Sequence, residues 1–199
     1  PETEAYGRGG VNPRFARVAS SAAHLSAATL CSAEAFTWLD EHFHAGPDRM
    51  RREADRFFAA GINHLVLHGS PSSPEGLPFP GHLFYAGTDV TEHMPWFEDL
   101  GAFSAYVARV QAALRWGDPD PDVLLFHPIH DVLSAPRGEL ERSTSTRLKL
   151  CTAHNSDLWL GRDVAPTAAV ARALEAAGLA YDFVSDAGVR SLDATGGRI

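Results

Sequence analysis

Glu34 closes a short apolar run, Leu30-Cys31-Ser32-Ala33-Glu34, with Phe36, Thr37 and Trp38 directly behind it. Read as a buried strand, the run delivers one carboxylate at its C-terminal tip. Burying a carboxylate is costly unless something pairs it or uses it. In sugar-cleaving barrels a carboxylate so placed serves as acid, base or nucleophile. The plain alternative is a Glu held by a neighbouring Arg, and the strand by itself leaves both open. His68 follows a second apolar run at 62–67. It can hydrogen-bond a sugar hydroxyl, support a carboxylate, or simply be satisfied by backbone. Trp38, Trp96, Phe84 and Tyr85 can act as platforms under a sugar ring or as ordinary packing. Their concentration in loops beyond the strands favours a pocket. Asn63 and His64, at the start of the second run, read as structural.

Histidines raise metal chemistry as a second reading. His42-Phe43-His44 matches the His-x-His of barrel metallohydrolases, and His82, His93, His127 and His130 add candidate ligands. The pair falls beyond the strand rather than on its tip, which counts against a metal site. No Gly-rich phosphate loop precedes a helix and no Gly-x-Ser-x-Gly is present, so phosphate-loop and serine-hydrolase chemistry find no support.

The bulk numbers restrict the partners. The 199 residues carry a net charge of −8, with 45% hydrophobic and 21% charged positions, as in an ordinary globular protein. Arg49, Arg51, Arg52 and Arg56 interleave with Asp48, Glu53 and Asp55, which describes a solvated helix face and not a nucleic-acid surface. No run approaches the roughly 18 apolar residues of a membrane span. Cys31 and Cys151 are too few for a disulfide framework, and Cys31 reads as a small core residue. The first residues show neither an initiator Met nor a signal-peptide pattern. The segment is therefore expected to be a piece of a longer soluble polypeptide, with the rest of that polypeptide as its partner; its compartment is not set by these residues, and a periplasmic or secreted parent is one option.

The elements that must position these groups follow from periodicity. Asn12-Pro13 starts a helix as N-cap and first turn, with Phe15, Val18, Ala19, Ala22 and Leu25 as its stripe. The strand at 30–34 follows. Pro47 opens a second helix, with Met50, Ala54, Phe57 and Phe58 inward and Gly61 as the stop, and the strand at 62–67 follows it. A Pro- and Gly-rich loop at 70–95 far exceeds the usual βα connection of roughly 2–6 residues and reads as functional. A helix at 97–116 comes next, with Leu100, Phe103, Val107, Val110 and Leu114 on one stripe. Gly117-Asp118-Pro119-Asp120-Pro121-Asp122 marks a boundary between a domain at 1–117 and another at 118–199. Beyond it lie a strand at 123–126, a helix from Pro166 stopped by Gly178, and a strand at 181–184.

Alternating helices and strands imply a parallel α/β sheet. Only two strands are read before the boundary, too few to close a barrel. The segment is expected to be the C-terminal part of a (β/α)8 TIM barrel, its strands the seventh and eighth, so Glu34 and His68 face one mouth.

Several pieces resemble a known family in joint order and spacing: Ala19-Ser20-Ser21-Ala22-Ala23-His24-Leu25, Ser32-Ala33-Glu34-Ala35-Phe36-Thr37, Ala54-Asp55-Arg56-Phe57-Phe58-Ala59-Ala60-Gly61-Ile62-Asn63-His64, and Leu67-His68-Gly69. Pro80-Gly81, Met94-Pro95-Trp96-Phe97, Tyr106-Val107-Ala108-Arg109-Val110-Gln111 and Tyr181-Asp182-Phe183-Val184 extend the match. Together they are similar to the central region of glycoside hydrolase family 106, the α-L-rhamnosidases. Ser26-Ala27 departs from the family's usual Tyr-Gly. The resemblance implies an eight-stranded barrel, inversion at the anomeric carbon, and two catalytic Glu residues. Glu34 matches the second, as general base, and the first lies outside this chain. It also implies calcium near the substrate, with no ligands mapped here. A flavodoxin-like domain often follows such barrels, and 123–184 would be its start, with His130 and Asp131 in its first loop.

The leading expectation is thus a fragment of a glycosidase acting on a terminal deoxysugar, a rhamnoside-like carbohydrate, through Glu34. His68, Trp38, Trp96 and Tyr85 are its expected substrate contacts. The alternatives are a metal-dependent barrel hydrolase using the His cluster and a non-catalytic sugar-binding segment.

Overall fold

Three parallel strands, laid side by side in sequence order, carry the first part of the chain. The computed structural model describes residues 1–6, 11–39, 42–130 and 166–192. Within it run β1 (Glu2–Tyr6), α1 (Pro13–Leu25), β2 (Ser32–Thr37), α2 (Pro47–Ala59), β3 (His64–Leu67) and, after a single 3-10 turn at Phe97–Asp99, α3 (Leu100–Leu114). β1 pairs with β2 and β2 with β3, all parallel. The expectation of two strands is therefore corrected to three. β1 has no large hydrophobic residue before Tyr6. Its inward positions are Thr3 and Ala5, too small to stand out in an apolar count, and both are buried.

The second part holds β4 (Val123–Phe126), α4 (Pro166–Ala177), β5 (Tyr181–Val184) and α5 (Asp186–Ser191), with β4 and β5 parallel. The bounds of β4, α4 and β5 match the sequence reading because Pro and Gly punctuate them, whereas α5, capped by Ser185, is an element the sequence reading lacks. Asp131, Cys151 and the polar stretch at 138–147 lie outside the described residues. Among the described residues no helix is long and apolar enough to cross a membrane.

α1 begins as expected: Pro13 occupies its first turn and the Asn12 side chain accepts from Arg14 N at 3.1 Å. Its buried face is not the expected one. Ala16, Ala19, Ser20, Ser21 and Ala23 are buried, whereas Val18 and Leu25 are substantially exposed. The reason is close packing on two sides. Ala16, Ala19 and Ala23 join the core of the three-stranded sheet, and Ser20 Oγ donates to Ala60 O at 2.6 Å. On the other side Phe15 packs on Leu125, Ala171, Tyr181 and Phe183. Close approach to two neighbours selects small side chains. Gly61 meets the same constraint from α2: it has φ +88, and a Cβ there would stand 2.8 Å from Ser20 Cβ. At Ser26-Ala27 the chain turns with φ +52 at Ala27, the left-handed region that favours Gly.

α2 carries Met50, Ala54, Phe57 and Phe58 inward as expected, together with Glu53, which is buried. Glu53 Oε1 accepts from Val11 N just before α1, and Arg56 Nη1 lies 3.3 Å from Oε2. Burial pushes the Glu53 carboxyl above the usual carboxylate range, against the pull of the Val11 N–H and Arg56. The folded chain then holds a proton on Glu53 more tightly than the unfolded one. That stabilisation is full below the ordinary carboxylate range and is lost as pH rises through the raised value. Glu53→Gln, which cannot ionise, should flatten the rise in unfolding susceptibility between mildly acidic and neutral pH. Glu53→Ala should cost about 1–3 kcal/mol by orphaning Val11 N. Urea unfolding at the two pH values checks both, and an unchanged slope in the Gln variant would count against the assignment. Cys31 is a buried free thiol, pushed up by burial, and belongs to the same core.

Candidate active site

The alternation of β2 decides where Glu34 lies. Ala33 and Ala35 are fully buried in the helix-covered core, so Glu34 between them faces the opposite side, half-buried. Thr37 Oγ1 donates to Glu34 Oε1 at 2.7 Å and fixes the carboxylate. Glu34 is not the strand's tip: β2 begins two residues later than expected, and Glu34 is its third residue. Its register partners are Glu4 on β1 and Val66 on β3. Glu2, Ser32 and His64 form the preceding row, in which the Ser32 hydroxyl donates to Glu2 Oε2 at 3.0 Å. One face of the sheet thus carries a line of polar groups, and the other carries the core.

Beyond Glu34 the β1–β2 register slips, and Phe36 takes φ +72. This bulge breaks the alternation and turns two aromatic rings inward. Phe36 is fully buried, and Trp38, 2% exposed, packs on it at 5.5 Å with the Arg49 guanidinium 4.3 Å above its ring. Trp38 is therefore a core residue and not the expected sugar platform. The single positive φ reverses its face, which an alternation count cannot show.

The long loop at 70–95 is tied to the strand ends rather than hanging free. Gly87 N donates to Trp38 O at 3.1 Å, Thr88 N to His68 O at 3.3 Å and Val90 N to Gly69 O at 3.1 Å. The fastening carries Phe84 to His68, edge-on at 5.1 Å, and Tyr85 to Phe84 at 4.7 Å. Tyr85 is 59% exposed and available as a platform. Trp96 is half-buried against the helix core instead. His68 Nδ1 is shut off from solvent with no hydrogen-bond partner among the described residues.

Sequence reasoning missed Asp89 altogether and misread His42. Asp89 is 1% exposed, has φ +50, and its Oδ2 lies 2.5 Å from His42 Nδ1. Its Oδ1 accepts from Phe84 N at 3.4 Å. The two residues stand 47 positions apart on different loops, so no local motif announces them.

The other histidines disperse. His82 Nδ1 pairs with Ser72 O at 3.0 Å, His93 packs on Phe79, and His130 faces Asp186 at 3.8 Å. His127 lies 3.3 Å from Thr167 Oγ1, and burial lowers its basicity. Among the described residues no three of His, Cys, Asp or Glu gather where a metal could sit. The metallohydrolase reading thus finds no ligand set among the described residues. At the start of β3, Asn63 Oδ1 accepts from Cys31 N at 2.9 Å and its amide donates to Thr29 O at 3.0 Å, while His64 Nδ1 meets Arg115 at 3.1 Å. Both are structural, as expected. A cleft of about 660 Å³ at this opposite end, between the C-termini of α1 and α3, lies away from the Glu34–His68 groups.

Three comparisons bear on this arrangement. A protein from Formosa agariphila, described as “Putative beta-glucuronidase”, is 34% identical over 118 residues, covering 58% of this chain and 10% of its own. The solved rhamnosidase from Novosphingobium sp. PP1Y shares the mixed α/β fold, with a TM-score of 0.59 at 18% identity over 96% of this chain and 16% of that one. The segment thus spans about a tenth of its curated relative's length. Residues 11–136, which hold Glu34, His42, His68 and Asp89, match the family model described as alpha-L-rhamnosidase, and the chain belongs to glycoside hydrolase family 106.

Proposed function

We propose that this segment supplies part of the catalytic site of an inverting glycosidase that removes a terminal deoxysugar of the α-L-rhamnoside type. The observation that carries the reading is Glu34 itself. It is an oriented carboxylate on the open face of a parallel sheet, with a Thr37 hydroxyl on one oxygen. Glu34 acts as general base on water, and the half-buried His68, edge-on to Phe84, contacts a sugar hydroxyl. Tyr85 and Phe84 supply the apolar platform. The general acid comes from another strand of the full-length polypeptide. Carboxyls of an inverting pair stand about 6.5–9.5 Å apart, whereas adjacent strands lie about 4.8 Å apart. A partner farther round the sheet therefore fits better than Glu4.

In this reading β1, β2 and β3 are the sixth to eighth strands of a (β/α)8 barrel, and the β4–β5 unit begins a flavodoxin-like domain. The test is hydrolysis of an aryl α-L-rhamnoside by the full-length polypeptide, with an aryl β-glucuronide alongside and the product anomer followed by NMR. A first-formed β-rhamnose supports the proposal. Release of α-rhamnose, or turnover of the glucuronide alone, overturns it.

A further inference from the structure

The Asp89–His42 pair has the construction of a functional dyad. A fully buried carboxylate must be satisfied, and Asp89 spends one oxygen on His42 and the other on the Phe84 N–H. Its neighbours Thr88 and Val90 are bonded to His68 and Gly69, and the Thr88 hydroxyl contacts Phe36 O at 3.4 Å. Asp89 is thereby fixed over the C-terminal ends of β2 and β3, on the side to which the strand of Glu34 leads. A carboxylate on Nδ1 selects the imidazole tautomer with its proton on that nitrogen and leaves Nε2 as the ring's second polar atom. His42 is only half-buried, whereas Asp89 is closed off, so the pair has one sealed end and one open end.

Resting on the glycosidase reading above, we propose that His42 contacts a hydroxyl of the bound sugar through Nε2, and that Asp89 is the positioning residue that holds it there. Asp89 ties two parts of the site together. The same carboxylate that orients the imidazole anchors the Phe84–Tyr85 platform, which in turn lies against His68. A pyranoside lying on Tyr85 would meet His68 and His42 as two hydroxyl-binding groups. The ligand class is accordingly a sugar with hydroxyls free on one ring face.

The decisive variant is His42→Asn in the full-length polypeptide. Its amide N–H takes the place of Nδ1, so the loop staple to Asp89 is kept while Nε2 is removed. On an aryl α-L-rhamnoside KM should rise about 10-fold or more, the loss of one strong hydrogen bond, with kcat changed less and the melting temperature retained. Asp89→Asn should give a smaller rise in KM, and the double variant should be no worse than His42→Asn alone. In 15N-histidine spectra of the wild type, added L-rhamnose should shift the His42 Nε2 signal and leave Nδ1 protonated. If the wild type turns the substrate over and His42→Asn matches it within twofold in KM, the pair is a loop staple and the proposal falls. If the wild type is inactive on every aryl glycoside, the glycosidase reading fails. The sugar titration then decides the dyad, and an unmoved Nε2 signal overturns it.

Discussion

Glu34→Gln in the full-length polypeptide will lower kcat on an aryl α-L-rhamnoside by about 10²–10⁴-fold, the contribution of a positioned general base. The amide has the carboxylate's shape and can still accept from Thr37 Oγ1, so β2 and its register should be unaffected. What it loses is the capacity to take a proton from water. KM should therefore change little, and melting temperature and circular dichroism should match the wild type. The half-buried position on the core-free face is what makes the variant informative, because Ala33 and Ala35 on either side do the packing. Residual activity within about tenfold of wild type would remove Glu34 from the chemistry, since general base catalysis is worth at least ~10².

The largest loss of stability is expected at a different acid. Asp182 on β5 is 2% exposed, accepts from Ser21 Oγ at 2.9 Å, and meets His24 Nδ1 at 2.7 Å. Ser21 Oγ in turn accepts from Phe183 N at 2.8 Å, so α1 satisfies the outer edge of β5. Arg17 adds a bond to Tyr181 O at 3.1 Å and lies over the Tyr181 ring, and Arg14 pairs with Glu175 at 2.7 Å. Burial and the bond to Glu175 push the Tyr181 phenol far up. Asp182→Ala strands the Ser21 hydroxyl and the His24 ring together and should cost about 2–4 kcal/mol, at roughly 1–3 for each polar group left unpaired and less for the partly exposed His24. Ser21→Ala, which takes the hydroxyl from Phe183 N and from Asp182 Oδ1 but leaves Asp182 its bond to His24, should cost about 1–3 kcal/mol. Denaturant unfolding followed by tryptophan fluorescence measures both. A loss below ~1 kcal/mol for Asp182→Ala would show that the Ser21 and His24 bonds contribute little to holding the two sheets together.

The same residues show what a sequence can disclose. Ala19 to Leu25 and Tyr181 to Val184 were legible as pieces of a family pattern, but not that one hydrogen-bonds the other across 161 residues. Elements framed by Pro and Gly, such as α2, α4 and β4, were read with their true bounds because those residues act locally. β1 escaped because Thr3 and Ala5 bury little surface. Trp38 was misjudged because a positive φ two residues earlier reverses its face. Glu53, Asp89 and Asp182 look like ordinary surface acids in a linear reading. Their burial follows from partners 42, 47 and 161 positions away.

Because α1 serves two sheets, it is synthesised long before its second partner. Ser21 is synthesised 161 residues ahead of Asp182, an interval on the order of 10 s at roughly 5–20 residues per second. Until then the β5 partners of Phe15, Ser21 and His24 are not yet made. Translation-arrested chains ending before residue 180 should be cut by protease within α1, whereas chains extending past β5 should be protected there.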